Sequence, residues 1–97
     1  MIVEVFHVID EDTAFQRLRK GVEDLVKSNS EHIQGYNFSW GDRSGKITCI
    51  VRGFKVSAKL RVTANKVVIE GKLPLGLLLF KKQIGDTIKI KIQKTLV

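Results

Sequence analysis

The chain has 97 residues, with 17 Lys/Arg against 10 Asp/Glu for a net charge of +7, and one cysteine. That length suits a single domain over residues 1–97 that buries roughly 65% of the surface of its unfolded chain. The lone Cys49 excludes an internal disulfide and suits a reducing compartment. The start, MIVEVFHVIDED, lacks the basic region and long apolar core of a secretory signal, and no apolar run approaches the roughly 20 residues of a membrane span. A cytoplasmic protein without a transmembrane segment is therefore expected.

Residues 2–9, IVEVFHVI, are β-branched and aromatic with partial alternation, and the cluster Asp10, Glu11 and Asp12 ends them. They predict a first strand. Thr13 followed by Gln16 is a capping-box pattern, and apolar residues then fall at Phe15, Leu18, Val22, Leu25 and Val26. This spacing predicts an amphipathic helix with acidic groups at its positive end, stopping near SNSEHIQG. From Tyr36 the period changes to two. Tyr36, Phe38 and Trp40, then Ile47, Cys49 and Val51, then Phe54 to Val62 in alternate positions, and finally Val67, Ile69 and Leu73 mark four strands. Turns are expected at GDRSG, near Gly53 and at Ala64-Asn65, giving an antiparallel meander with one apolar face.

After Pro74, the residues Phe80, Ile84, Ile88, Ile92 and Leu96 form a helical stripe, although IKIKI over residues 88–92 also alternates like a strand. The longer stripe and the position of Pro74 favour a second helix. The expected fold class is two-layer α+β, an antiparallel sheet of about five strands with two helices on one face, in the order β-α-β-β-β-β-α.

The stretch GYNFSWGDRSGK has the glycines and lysine of a phosphate loop. However, only three residues separate Gly41 from Gly45, Ile47 stands where a magnesium-binding hydroxyl belongs, and a strand follows. It is expected to be a hairpin, with Asp42 and Gly45 supplying the turn conformations. His7 and His32 lie far apart and no second cysteine exists, so no metal or cofactor site is expected. Cys49 shares a face with Ile47 and Val51 and is expected to be a core residue without an activating base. No catalytic residues are indicated, and the protein is expected not to be an enzyme.

Charge is unevenly placed: residues 1–45 carry −3 and residues 46–97 carry +10. Strand parity puts Lys46, Arg52, Lys55, Lys59, Arg61, Lys66 and Lys72 on the outward sheet face, a candidate surface for nonspecific nucleic acid or anionic lipid. Tyr36, Phe38, Trp40 and Phe54 share the opposite parity, which argues against base stacking on that face. The other candidate surface is LPLGLLLF. Leu75, Leu77, Leu78, Leu79 and Phe80, flanked by Lys81 and Lys82, cannot all face one narrow core stripe, so part of this apolar set is expected at the surface.

The order of parts, with Trp40-Gly41-Asp42, Gly53, the run Val67 to Leu73 and the spaced Ile84 and Ile88, resembles the small bacterial family of polyhydroxyalkanoic acid system proteins. Some members of that family are encoded near genes for storage-polymer granules, and it has no established catalytic residues to carry over. The resemblance implies a non-enzymatic accessory protein, cytoplasmic and granule-associated, whose partner is a storage granule or a protein surface. Nonspecific polyanion binding through the basic sheet face is the alternative. A second copy of the chain, or a small molecule held between helices and sheet, are further partners to weigh.

Overall fold

A computed structural model of the chain describes residues 1–96. In chain order it has β1 (Ile2–Phe6), α1 (Glu11–Ser28), β2 (Ile33–Gly41), β3 (Ser44–Val51), β4 (Phe54–Val62), β5 (Lys66–Lys72), a 3₁₀ segment (Leu75–Phe80) and α2 (Lys81–Leu96). The five strands form one antiparallel sheet in the order β1-β5-β4-β3-β2. The expected α+β architecture and element order are borne out, including a helix rather than a strand over residues 86–92.

Local chemistry accounts for each boundary. Helix α1 starts one turn earlier than the Thr13 capping box suggested. Asp10 is the N-cap, and Thr13 donates its backbone N–H to Asp10 Oδ1 at 2.9 Å and its hydroxyl to Oδ2 at 2.6 Å. These hydrogen bonds, the hydroxyl's first, hold the Asp10 carboxyl below its ordinary range. Strand β2 begins at Ile33, three residues before the expected change of period, because Gly35 (φ +56°) lies in an irregularity between Gln34 and Asn37 that resets the alternation.

The hairpin turns also differ in detail from the expectation. Between β2 and β3 the left-handed residue is Arg43 (φ 53°), not Asp42 or Gly45. Its guanidinium reaches Glu11 at 2.9 Å and Asp12 at 3.1 Å, joining the hairpin to the start of α1. Gly45 instead makes room for an aromatic ring, since an added Cβ would stand 2.4 Å from the Trp40 ring that lies over it. Between β3 and β4, Arg52 and Gly53 both have positive φ, 52° and 84°, as a two-residue turn of the primed kind requires.

Both helices pack on one sheet face. Val3, Val5, Leu60, Val62, Val67 and Ile69 on the strands meet Leu18, Val22 and Val26 of α1 and Ile92 and Leu96 of α2 in one buried cluster. The expected stripe is present on α2 from Ile84 onward, with Ile92 and Leu96 buried and Ile84 and Ile88 half-buried, whereas its first member, Phe80, precedes the helix in the 3₁₀ segment and is exposed. The helices approach most tightly where Gly21 faces Thr95: a Cβ on Gly21 would fall 2.7 Å from the threonine hydroxyl. His7 is buried at the end of β1, its ring nitrogens 2.9 Å from the Ile9 carbonyl and 3.0 Å from the Thr63 carbonyl. It ties β1 to the β4–β5 turn and is a structural histidine.

Candidate functional site

The 3₁₀ segment is where sequence and structure differ most usefully. With about three residues per turn, positions 77 and 80 share one face and the remaining leucines take the others. Leu77 turns inward and is 1% exposed, whereas Leu75 is 85% and Leu79 92% exposed. Leu78 and Phe80 are about half-exposed. The expectation that Leu77 belongs to the surface set is thus corrected, and the exposed apolar patch consists of Leu75, Leu78, Leu79 and Phe80. Lys81 and Lys82 follow on the first turn of α2, both exposed. The segment leans on Phe54: a Cβ on Gly76 would collide with the Phe54 ring at 2.2 Å, so Gly76 permits the close approach that holds the patch in place.

Behind this segment lies an apolar cavity of about 340 Å³. Its floor is the sheet around Cys49, Ala58 and Gly71, and its sides are Leu25 and Val26 of α1 and Ile84 and Ile88 of α2. Leu73, Leu77 and Phe80 supply the remaining wall. The space exists for two reasons. Ala58 and Gly71 are cross-strand partners with little or no side chain of their own, although the Met1 side chain lies over Gly71, its methyl 3.1 Å from where a Cβ would stand, and lines the space too. The helices, in contact at Gly21 and Thr95, leave room between the end of α1 and the start of α2. An empty, dry void of this volume would forgo up to about 8 kcal/mol at about 24 cal/mol per Å³, comparable with the roughly 5–15 kcal/mol that stabilises a whole domain. That figure is an upper bound, because exposed lining residues such as His32, Arg52, Gln83 and Thr87 mark an end open to water.

Arg52 is the second correction. Alternation along β3 assigns it to the outward face, but the strand ends at Val51 and the turn conformation of Arg52 breaks the parity. Its backbone N–H donates to the His32 carbonyl at 3.0 Å, and its guanidinium lies 5.8 Å from the centre of the Phe80 ring. It lines the cavity and makes no ion pair among the described residues.

The remaining basic residues of the sheet do share the outward face. Lys46 stands opposite Lys59, and Lys59 opposite Glu70; Lys55, Arg61 and Lys72 have the same parity. Lys66 is half-buried and paired with Glu4 at 3.3 Å. The aromatic residues of β2 lie on the other side, where Phe38 stacks on Trp40 at 5.9 Å and Phe15 of α1 meets Trp40 edge-on at 5.9 Å.

Groups with chemical potential do not converge. Cys49 is buried on the cavity floor, where loss of solvent pushes its thiol above the ordinary range. Among the described residues, no group of three or more His, Cys, Asp or Glu side chains comes together in a way that could hold a metal ion, and no helix is long and apolar enough to cross a membrane.

A family model described as "Putative polyhydroxyalkanoic acid system protein" matches residues 2–96. The chain belongs to this family. No curated protein matches the sequence. Among solved structures, the crystal structure of Ara h 8.0201 is similar with a TM-score of 0.42 and 15% identity, over 99% of this chain and 95% of that one; so distant a likeness carries no function. For a polyhydroxyalkanoic acid system protein, the exposed leucines beside a basic helix start and the cavity behind them are the two features with something to bind. The first is visible in the order of residues and the second hardly at all, because a void depends on which small residues become neighbours across strands.

Proposed function

We propose that this polyhydroxyalkanoic acid system protein is a non-enzymatic accessory protein that attaches to the surface of a hydrophobic storage polymer through Leu75, Leu78, Leu79 and Phe80. The observation that carries the reading is the outward exposure of four large apolar side chains within six residues, two of them almost fully in water. Burying a leucine side chain contributes about 1.5–3 kcal/mol, so Leu75 and Leu79 alone would supply roughly 3–5 kcal/mol on an apolar surface. Lys81 and Lys82 would add attraction to an anionic surface, weakened by salt. The family context supports a granule as that surface. The test is particle binding by a Leu75→Ser, Leu79→Ser double variant. These outward residues can be changed without touching the core, so circular dichroism should be unchanged while retention on polymer particles falls at least tenfold. Full retention by the folded variant would reject the patch.

One observation favours a second reading. The cross-strand pair Lys46 and Lys59 places like charges directly opposite, an arrangement that a bound polyanion would relieve. If the outward sheet face binds nucleic acid, the logarithm of affinity should fall steeply with the logarithm of salt, and Lys55→Gln, Lys59→Gln and Arg61→Gln together should flatten that slope. Affinity that ignores salt would remove this reading.

A further inference from the structure

We propose that the cavity between the sheet and the helices is a binding site for a linear aliphatic carboxylate, with its hydrocarbon tail on the floor formed by Cys49, Ala58 and the Met1 side chain that covers Gly71, and its carboxylate at Arg52. This site shares Phe80 with the exposed patch but is otherwise distinct from it: Leu77, which lines the cavity, is 1% exposed, whereas Leu79 is 92% exposed and does not line it.

Three observations specify the ligand. The volume, about 340 Å³, lies in the range of small-molecule pockets, roughly 300–1,000 Å³. It has room for about eleven groups of the size of a water's share of the liquid, roughly 30 Å³ each, which suits a medium-length chain better than a sterol or a nucleotide. The interior offers such a chain no hydrogen-bonding side chain apart from the Cys49 thiol; the polar lining residues Asn29, His32, Arg52, Gln83 and Thr87 come from the diverging end of the helices and the adjoining strand ends. Finally, the head must be anionic. Arg52 is fixed at the backbone by its hydrogen bond to His32, rests on the Phe80 ring, and makes no carboxylate pair among the described residues. An incoming carboxylate would gain a charge-assisted hydrogen bond there.

Two sources share this chemistry: a simple fatty acid, and a hydroxyalkanoic acid of the kind contained in the family's name. Thr87 donates its hydroxyl to the Gln83 carbonyl at 2.9 Å, which leaves the hydroxyl oxygen free to accept from a hydroxyl near the head of the second kind.

Isothermal titration of the purified protein with hexanoate, octanoate, decanoate, dodecanoate, 3-hydroxydecanoate and decan-1-ol tests the site. Affinity should rise about fourfold per added methylene and stop rising near decanoate, when the cavity is full. Arg52→Gln should weaken decanoate at least tenfold and leave decanol unchanged. Ala58→Leu and, independently, Val56→Phe, both at residues that line the cavity, should abolish the gain with chain length by filling it, whereas Leu79→Ser should bind decanoate as the wild type does. Tighter binding of 3-hydroxydecanoate than of decanoate would assign the site to hydroxy acids, and equal binding to simple fatty acids. The proposal is overturned if no chain binds up to its solubility limit, or if affinity keeps growing past dodecanoate. It is equally overturned if Leu79→Ser removes binding while both filled variants retain it, since the surface patch would then be the site.

Discussion

Leu77 and Leu79 are two residues apart in the same 3₁₀ segment, yet the structure predicts opposite consequences for shortening each to alanine. Leu77 is 1% exposed and borders the cavity. Leu77→Ala removes the equivalent of three methylenes, about 2.4 kcal/mol at about 0.8 kcal/mol each. The neighbouring void prevents collapse around the gap, so a further cavity cost applies and the total should be about 3 kcal/mol, inside the roughly 2–5 kcal/mol range of buried leucines. Leu79 is 92% exposed, and its truncation should change stability by no more than about 0.5 kcal/mol. In urea denaturation with a slope of about 1–3 kcal/mol per M, Leu77→Ala should lower the midpoint by at least about 1 M and Leu79→Ala should leave it in place. On polymer particles the order should reverse, with the folded Leu79 variant retained less than the Leu77 variant. Equal midpoints, or a larger loss for Leu79, would refute the assignment of inward and outward faces.

Gly21→Ala should destabilise the protein despite alanine's better helix propensity, because the new methyl meets Thr95 at 2.7 Å and overpacking costs about 1–3 kcal/mol. Adding Thr95→Ala should recover much of the loss, which a double-mutant cycle in urea would measure. Asp10 has a folded pKa below its ordinary 3.8, so its contribution is present above that value and is lost as pH falls through the folded pKa. Asp10→Asn keeps a capping oxygen and should make acid unfolding less steep. Cys49 behaves oppositely: its folded pKa lies above 9.0, so its contribution is present below 9.0 and is lost as pH rises through the folded value. Thermal melts of Cys49→Ala should therefore lose less stability than wild type between neutral and strongly alkaline pH.

Much of the fold was legible because its signals are periodic. Alternation along Phe54–Val62 and the stripe Ile84, Ile88, Ile92 and Leu96 report a face directly, and the topology follows from short turns between antiparallel neighbours. The misreadings fall where a period is interrupted. Gly35 shifts the register of β2, Arg52 leaves the strand for a left-handed turn, and residues 75–80 coil with about three residues per turn, in a leucine run whose letters alone did not separate the inward Leu77 from its exposed neighbours. The Asp10 cap could have been found by starting the helix inside the acidic cluster rather than after it. The cavity had no comparable signal: Ala58 and Gly71 are ordinary as letters and matter only because the register of β4 and β5 makes them neighbours beneath two helices that separate.

Co-sedimentation of the purified protein with polyhydroxyalkanoate particles, at low and physiological salt and with a nucleic-acid competitor, tests granule attachment most directly. Attachment through the exposed leucines predicts retention at both salts despite the competitor, and its loss in the Leu75→Ser, Leu79→Ser variant. Release of the wild-type protein by physiological salt or by competitor would contradict it and place binding on the basic sheet face.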